Sequence, residues 1–125
     1  MRVLISFVLL IVCCSCYTNT RDCEQFYEGT FEFKTIVGDK ILTSTFVRDA
    51  RFEVETFDGK IDSASIRWVN SCEFILTKLH PTSNQDKRPI SIKILSTSNN
   101  KYDFEYALVG DSKNKQRGTI TKINN

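Results

Sequence analysis

The stretch Arg51-Phe-Glu-Val-Glu-Thr-Phe-Asp-Gly59 combines a strand with a turn and decides the class of fold. Its apolar and charged residues alternate with a period of two, which is typical of a strand with one buried and one solvent-facing side. On this pattern Phe52 and Val54 face the core. The charged residues face solvent: Arg51, Glu53 and Glu55. Asp58-Gly59 favours a two-residue type I′ turn, so the stretch predicts an antiparallel hairpin.

Further segments at short intervals have the composition of strands: residues 30–36, 41–47, 64–69, 72–79, 90–95, 102–108 and 118–123. In several of them apolar side chains recur at every second position, as at Ile90, Ile92 and Ile94. The connections are too short for the crossover of a dozen or more residues that parallel strands need. We therefore predict an all-β domain of eight strands in an antiparallel meander.

A meander has two unpaired edges unless its first strand pairs with its last. Closure gives a small, lipocalin-like barrel, whose interior holds packed side chains or one small ligand. A two-sheet β-sandwich and a curved open sheet are the alternatives. We assign residues 29–125 to this single β domain. Aromatic residues expected in its core or in a ligand cavity are Phe31, Phe33, Phe52, Trp68, Phe104 and Tyr106.

The first residues indicate export and a lipid anchor. Met1-Arg2 precedes an apolar run over residues 3–12, which is shorter than the about 20 residues of a transmembrane helix and fits a signal peptide. Cys13-Cys14-Ser15-Cys16 then predicts a lipoprotein signal over residues 1–15, with lipid on Cys16 after cleavage. Cys14 and Cys13 are the alternative lipidation sites, and a secreted chain without lipid is the alternative interpretation. Residues 16–28 become the lipid-anchored N-terminal segment.

Cys23 and Cys72 are the cysteines that remain in the exported body besides Cys16. The connections of a meander fall alternately at two ends: the near end, where the first strand begins, and the far end. Cys23 precedes the first strand and Cys72 begins the fifth, so both lie at the near end. Because exported cysteines usually pair, we predict a Cys23–Cys72 disulfide that draws the N-terminal segment across this end. The cysteine spacing lacks the paired Cys-x2-Cys units of zinc sites, so no metal is expected.

No pattern of catalytic residues is evident. The only histidine, His80, falls in a loop, whereas nucleophilic catalysis usually needs a base beside the nucleophile. The carboxylate pairs Glu53/Glu55 and Asp103/Glu105 fall on predicted solvent-facing sides of strands. The 17 basic and 15 acidic residues are interspersed, which excludes the basic face of a nucleic-acid-binding protein. We expect no enzymatic activity, no cofactor and no nucleic-acid partner.

Several segments carry a family resemblance: Arg21-Asp-Cys23, Glu28-Gly-Thr-Phe-Glu-Phe33, Ile66-Arg-Trp-Val-Asn-Ser-Cys-Glu-Phe74 and Phe104-Glu-Tyr-Ala-Leu-Val-Gly-Asp111. With them the chain resembles a family of small bacterial envelope lipoproteins of flavobacterial type. The resemblance implies an envelope lipoprotein and no established activity. Members can carry the name DNA topoisomerase IV, but strand passage needs a catalytic tyrosine domain, an ATPase and metal-binding carboxylates. The chain after residue 15 is too short to hold them.

The sequence thus predicts a non-catalytic protein of the cell envelope, lipid-anchored on the periplasmic or outer-membrane side. We expect it to bind a small apolar ligand or another envelope component. The first alternative is an interaction or inhibitor protein with a solid core, acting through its far-end loops, of which residues 80–87 and 110–115 are the longest. The second alternative is an unrecognised hydrolase. A hollow barrel favours the ligand-binding interpretation, and a packed barrel favours the first alternative.

Overall fold

Strands dominate residues 21–124, the part of the chain that a computed structural model describes. A 3-10 helix, Glu24–Phe26, precedes them. The strands are β1 Gly29–Val37, β2 Lys40–Arg48, β3 Phe52–Phe57, β4 Lys60–Asn70, β5 Glu73–Lys78, β6 Ile90–Ser98, β7 Lys101–Leu108 and β8 Gln116–Asn124. Within residues 21–124 no helix is long and apolar enough to cross a membrane. The predicted signal over residues 1–15 and the predicted lipid on Cys16 lie outside the described residues.

The strands form a closed barrel. Each strand pairs antiparallel with the next, and β8 pairs with β1. This confirms the predicted meander barrel, and the sandwich and the open sheet are wrong. Gly38-Asp39 and Asp58-Gly59 form the two-residue turns of the first two far-end hairpins. Asp58 and Gly59 have φ values of 49° and 72°, and a type I′ turn requires a positive φ at both positions.

The segment before β1 closes the near end of the barrel. A disulfide joins Cys23 to Cys72, with 5.3 Å between the Cα atoms, as the topology predicted. Phe26, in the 3-10 helix, is fully buried. Its ring meets the ring of Tyr102 edge-on, with 4.9 Å between the centroids. Residues 21–28 therefore pack as part of the barrel, and we call them the near-end plug.

Large side chains fill the near half of the barrel interior. The largest fully buried side chains all lie there: Phe26, Phe31, Phe74, Ile94 and Tyr102. Toward the far end, inward side chains such as Phe33, Leu76 and Ile90 are only partly buried. The interior is thus packed near the plug and looser toward the opposite end.

The inward and outward sides of β3 are the reverse of the sequence prediction. Phe52 and Val54 are 43% and 39% exposed, whereas Glu53 is 9% exposed. The strand register places Glu53 opposite Arg48, and the two side chains form an ion pair inside the barrel. An inward carboxylate is tolerated because a cation meets it there. The prediction that Phe52 is a core or cavity residue is therefore wrong, as is the solvent-facing placement of Glu53. Glu55 shares the inward side of β3 but remains exposed to solvent.

The barrel wall is incomplete toward the far end. β1 and β8 are paired only from Thr30 to Phe33, and β2 and β3 only from Thr45 to Arg48 on the β2 side. Residues 34–43, which we call the projecting hairpin, extend past both ladders and pair with each other. Three aliphatic side chains of this hairpin are exposed, by 76%, 56% and 66%: Ile36, Val37 and Ile41.

Candidate ligand-binding site

A buried arginine forms the floor of the open part of the barrel. Arg48 Nε donates to Glu53 Oε2 at 3.0 Å, and Nη1 donates to the carbonyl oxygen of Phe26 at 2.8 Å. Nη2 donates to the hydroxyl of Tyr102 at 3.0 Å. Because only 2% of Arg48 is exposed, these bonds replace its hydration. They join β2 to β3, to β7 and to the near-end plug.

Aromatic rings surround the same guanidinium. Its Cζ lies 4.6 Å from the ring centroid of Phe31 and 4.7 Å from that of Phe74. The rings of Phe46 and Tyr102 follow at 5.3 Å and 5.9 Å. The negative face of an aromatic ring stabilises a desolvated cation. The barrel itself therefore supplies the partners of Arg48.

Burial shifts the pKa values of both members of the ion pair, Arg48 and Glu53. It lowers the pKa of Arg48, but the neighbouring Tyr102 and Glu53 raise that pKa by more, so the guanidinium stays charged. For Glu53, burial outweighs the lowering effect of Arg48. Glu55 adds repulsion, and the pKa of Glu53 is raised above its ordinary value.

Above this floor the barrel contains a hollow of about 230 Å³. Its walls are mostly apolar and include Phe33, Phe46, Leu76, Ile92, Phe104 and Ile120. Arg48, Glu53 and Glu55 provide its charged lining. Ligand sites in proteins combine apolar walls with a few polar groups in this way, although their usual volume is larger, about 300–1,000 Å³.

A second hollow, of about 190 Å³, adjoins the first. Both are lined by Glu53, Glu55, Leu76 and Ile90. The second hollow is also lined by side chains from the far ends of β4 and β5 and from the loop after β5: Asp62, Lys78 and Arg88. The interior thus leads from the arginine floor to a charged mouth at the far end.

Most charges at the mouth have partners. Lys78 Nζ lies 3.4 Å from Asp62 Oδ2 and 3.2 Å from Asp86 Oδ1. Burial lowers the pKa of Lys78, but both carboxylates raise it by more, and its net pKa is raised. Arg88 Nη2 donates to the carbonyl oxygen of Val109 at 3.2 Å. The carboxylate of Glu55 differs, because within residues 21–124 it has neither a hydrogen bond nor an ion pair.

Ser44 adds an unused polar group to the same inward side. It faces the interior with Phe46 on β2 and Phe33 on β1, both of which line the hollow. The residue is 6% exposed. Its Oγ is the one buried side-chain polar atom of residues 21–124 that lacks a hydrogen-bond partner. Such an atom is costly unless a bound group satisfies it.

The aromatic residues singled out from the sequence fall into three places. Phe33, Phe104 and Tyr106 line the hollow. Phe31 belongs to the packed near half, as does Trp68, whose ring lies 4.1 Å from that of Tyr27 and 4.6 Å from that of Phe74. Phe52, as shown above, lies on the outside.

The residues considered for catalysis are dispersed. His80 is exposed in the loop after β5. Asp103, on the outer side of β7, accepts hydrogen bonds from Ser96 and Thr119. Glu105, also outward, pairs with Lys115 at 3.3 Å. Among residues 21–124 no three His, Cys, Asp or Glu side chains are grouped so as to hold a metal ion.

Sequence reasoning missed Arg48 and the inward carboxylates. Arg48 directly follows the predicted strand over residues 41–47, and the charges of β3 were predicted to face solvent. The sequence of β2 does contain a signal that Arg48 faces inward. Phe46 and Arg48 are two residues apart, so they lie on the same side of the strand. The partner that permits this burial sits five residues further on, across a tight turn.

Comparison of the chain with protein-family models, curated proteins and solved structures finds no match.

Proposed function

We propose that this protein is a lipid-anchored, non-catalytic component of the cell envelope that binds a small, mostly apolar ligand in the far half of its barrel. The observation that carries the proposal is the hollow of about 230 Å³ above Arg48. A barrel evolved only for stability is expected to fill its interior, because unfilled volume is costly. The near half is filled in this way, and the far half is not.

The proposed location is supported by the disulfide. A Cys23–Cys72 bond persists in oxidising compartments such as the bacterial periplasm. The export signal and Cys16 are read from the sequence and complete the proposal. The barrel mouth is at the end opposite to Cys23, so an anchor at Cys16 would leave the mouth facing away from the membrane.

A native mass spectrum of the mature protein, gently extracted from its own membranes, tests both parts. We expect the mass of a chain beginning at acylated Cys16 with one disulfide, together with a reproducible small adduct. An unacylated chain contradicts the anchor. The same chain without an adduct in repeated preparations counts against a bound ligand.

Two matched variants test whether the adduct occupies the hollow. Leu76→Phe enlarges a side chain that lines it, and Ile75→Phe makes a similar change on the outer side of the same strand. We expect the first variant to lose the adduct and the second to keep it. Equal retention in two folded variants would place the ligand elsewhere.

A second candidate function is an interaction protein that acts through its far end. It is favoured by the projecting hairpin, where Ile36, Val37 and Ile41 are exposed. A photo-crosslinking residue at position 41 would then capture a discrete envelope protein in cells. The same residue at position 93, an exposed position on the outer side of β6, serves as the control. Equal capture at both positions contradicts this candidate.

A further inference from the structure

We infer that the barrel selects a small organic cation, with an ammonium group beside Glu55 and an apolar body in the hollow. This inference rests on the proposed ligand-binding function and adds the charge and size class of the ligand. It is carried by two observations: Glu55 lines both hollows, and its carboxylate has no ion-pair partner among residues 21–124.

The inward charges leave one carboxylate without a partner. Arg48 is paired with Glu53, and Lys78 with Asp62 and Asp86. Arg88, which lines the second hollow, donates to the carbonyl oxygen of Val109. Glu55 lines both hollows, and no cation of residues 21–124 lies within ion-pair distance of it. Glu55 is exposed at the open side of the hollows, where its charge attracts a cation that arrives with the ligand.

The position of Glu55 suits an amphipathic molecule. It lies opposite Phe46 on one neighbouring strand and opposite Asp62 on the other. Phe46 belongs to the apolar hollow, and Asp62 belongs to the mouth. A ligand whose ammonium meets Glu55 can therefore place its hydrocarbon part deeper, against Phe33 and Phe104.

Ser44 is a buried polar residue beside this place, and it does not itself line the hollow. On the inward side of β2 it is two residues from Phe46, which faces Glu55. Ser44 is thus the diagonal neighbour of Glu55, at a typical separation of about 7–8 Å for such pairs. Its buried Oγ lacks a hydrogen-bond partner among the described residues.

The cationic side chains near the hollows already have partners and are therefore poorly placed to bind an anionic ligand. Three of the N–H groups of Arg48 are occupied, and four aromatic rings enclose it. Lys78 already meets two carboxylates, and Arg88 at the mouth donates to the carbonyl oxygen of Val109. An anion would also bring its charge close to Glu53 and Glu55. The volume of about 230 Å³ limits the ligand to a body smaller than most drug-sized molecules.

Three probes with one hydrocarbon chain and different head groups test the inference: hexylammonium, hexan-1-ol and hexanoate. Their affinities for the mature protein in phosphatidylcholine nanodiscs are measured by ligand-observed NMR at pH 7, with empty nanodiscs as the blank. We expect hexylammonium to bind about tenfold more tightly than hexan-1-ol, and hexanoate to bind most weakly. Raising the salt concentration to about 0.5 M should weaken hexylammonium selectively.

Glu55→Gln removes the charge and should reduce the affinity for hexylammonium to that for hexan-1-ol. Glu32→Gln, the same change on the outer side of β1, should leave all affinities unchanged. Glu55→Asp keeps the charge and should retain the preference, which separates a charge effect from a loss of folding.

The outcomes separate the inference from the proposed function. Binding of hexan-1-ol without a preference for hexylammonium, or a preference that survives in Glu55→Gln, overturns the inference and leaves the ligand-binding proposal in place. Binding of none of the three probes overturns both.

Discussion

The guanidinium of Arg48 and the carboxylate of Glu53 meet inside the barrel, with 3.0 Å between Nε and Oε2. They are directly opposite each other on β2 and β3. This pair determines which side of β3 faces inward, because Glu53 can reach Arg48 only from the interior. It also places Glu55, two residues along the strand, on the same side, where this exposed carboxylate lines the hollow. A structural ion pair thereby sets the chemistry of the proposed site.

Arg48→Met should destabilise the fold strongly, because it leaves Glu53 buried without its cation. We expect the free energy of unfolding, measured by urea titration, to fall by about 3–5 kcal/mol. Arg48→Met combined with Glu53→Met should recover much of this loss, because the double change removes both desolvated charges. Lys115→Met, which breaks an outer pair with Glu105, should cost no more than about 1 kcal/mol. A similar small cost for Arg48→Met would contradict a structural role for the inner pair.

The raised pKa of Glu53 implies that the stability of the fold depends on pH. Burial is its largest cause, so the folded protein favours the protonated carboxyl more than the unfolded chain does. The stability that this carboxyl contributes is therefore fully present below its unfolded-state pKa and is lost as pH rises through its folded-state pKa. NMR titration of the Glu53 side-chain carboxyl should give a pKa above the ordinary glutamate value. The free energy of unfolding of Glu53→Gln, measured as a function of pH, should lack the pH dependence that comes from this carboxyl. An ordinary or lowered pKa for Glu53 in the natural protein would contradict the assignment.

The parts of this structure that depend on local sequence were predictable. Asp58-Gly59 and the period-two alternation predicted the strands, and counting reversals placed Cys23 and Cys72 at one end. The direction in which β3 faces was not predicted, because alternation gives two sets of side chains without saying which faces inward. The apolar set, with Phe52, was assigned to the core, but the arginine at the end of β2 reversed this choice. The hollow depends on how side chains from strands distant in sequence fit together, and no local pattern encodes that fit.

The disulfide should contribute substantially to stability. It closes a loop with a sequence separation of 49 residues, which corresponds to about 4 kcal/mol in the chain-entropy account. We expect Cys23→Ser with Cys72→Ser to lower the free energy of unfolding by roughly this amount. Reductant should destabilise the natural protein and leave the double variant unchanged. If the double variant is as stable as the oxidised protein, the bond does not hold the near-end plug in place.

Gly118 makes room for two aromatic side chains of the hollow. A Cβ at this position would lie 2.9 Å from Phe33 Cε2 and 3.0 Å from Phe104 Cε1. The two rings pack edge-on, with 5.9 Å between their centroids, so neither can move far without disturbing the wall. We expect Gly118→Ala to cost about 1–3 kcal/mol by overpacking.

The same change should cost less in a Phe33→Leu background, where the smaller side chain relieves the contact. Urea unfolding of the two single variants and the double variant measures this coupling. If the costs of the two substitutions simply add, the glycine is not needed to accommodate the ring of Phe33.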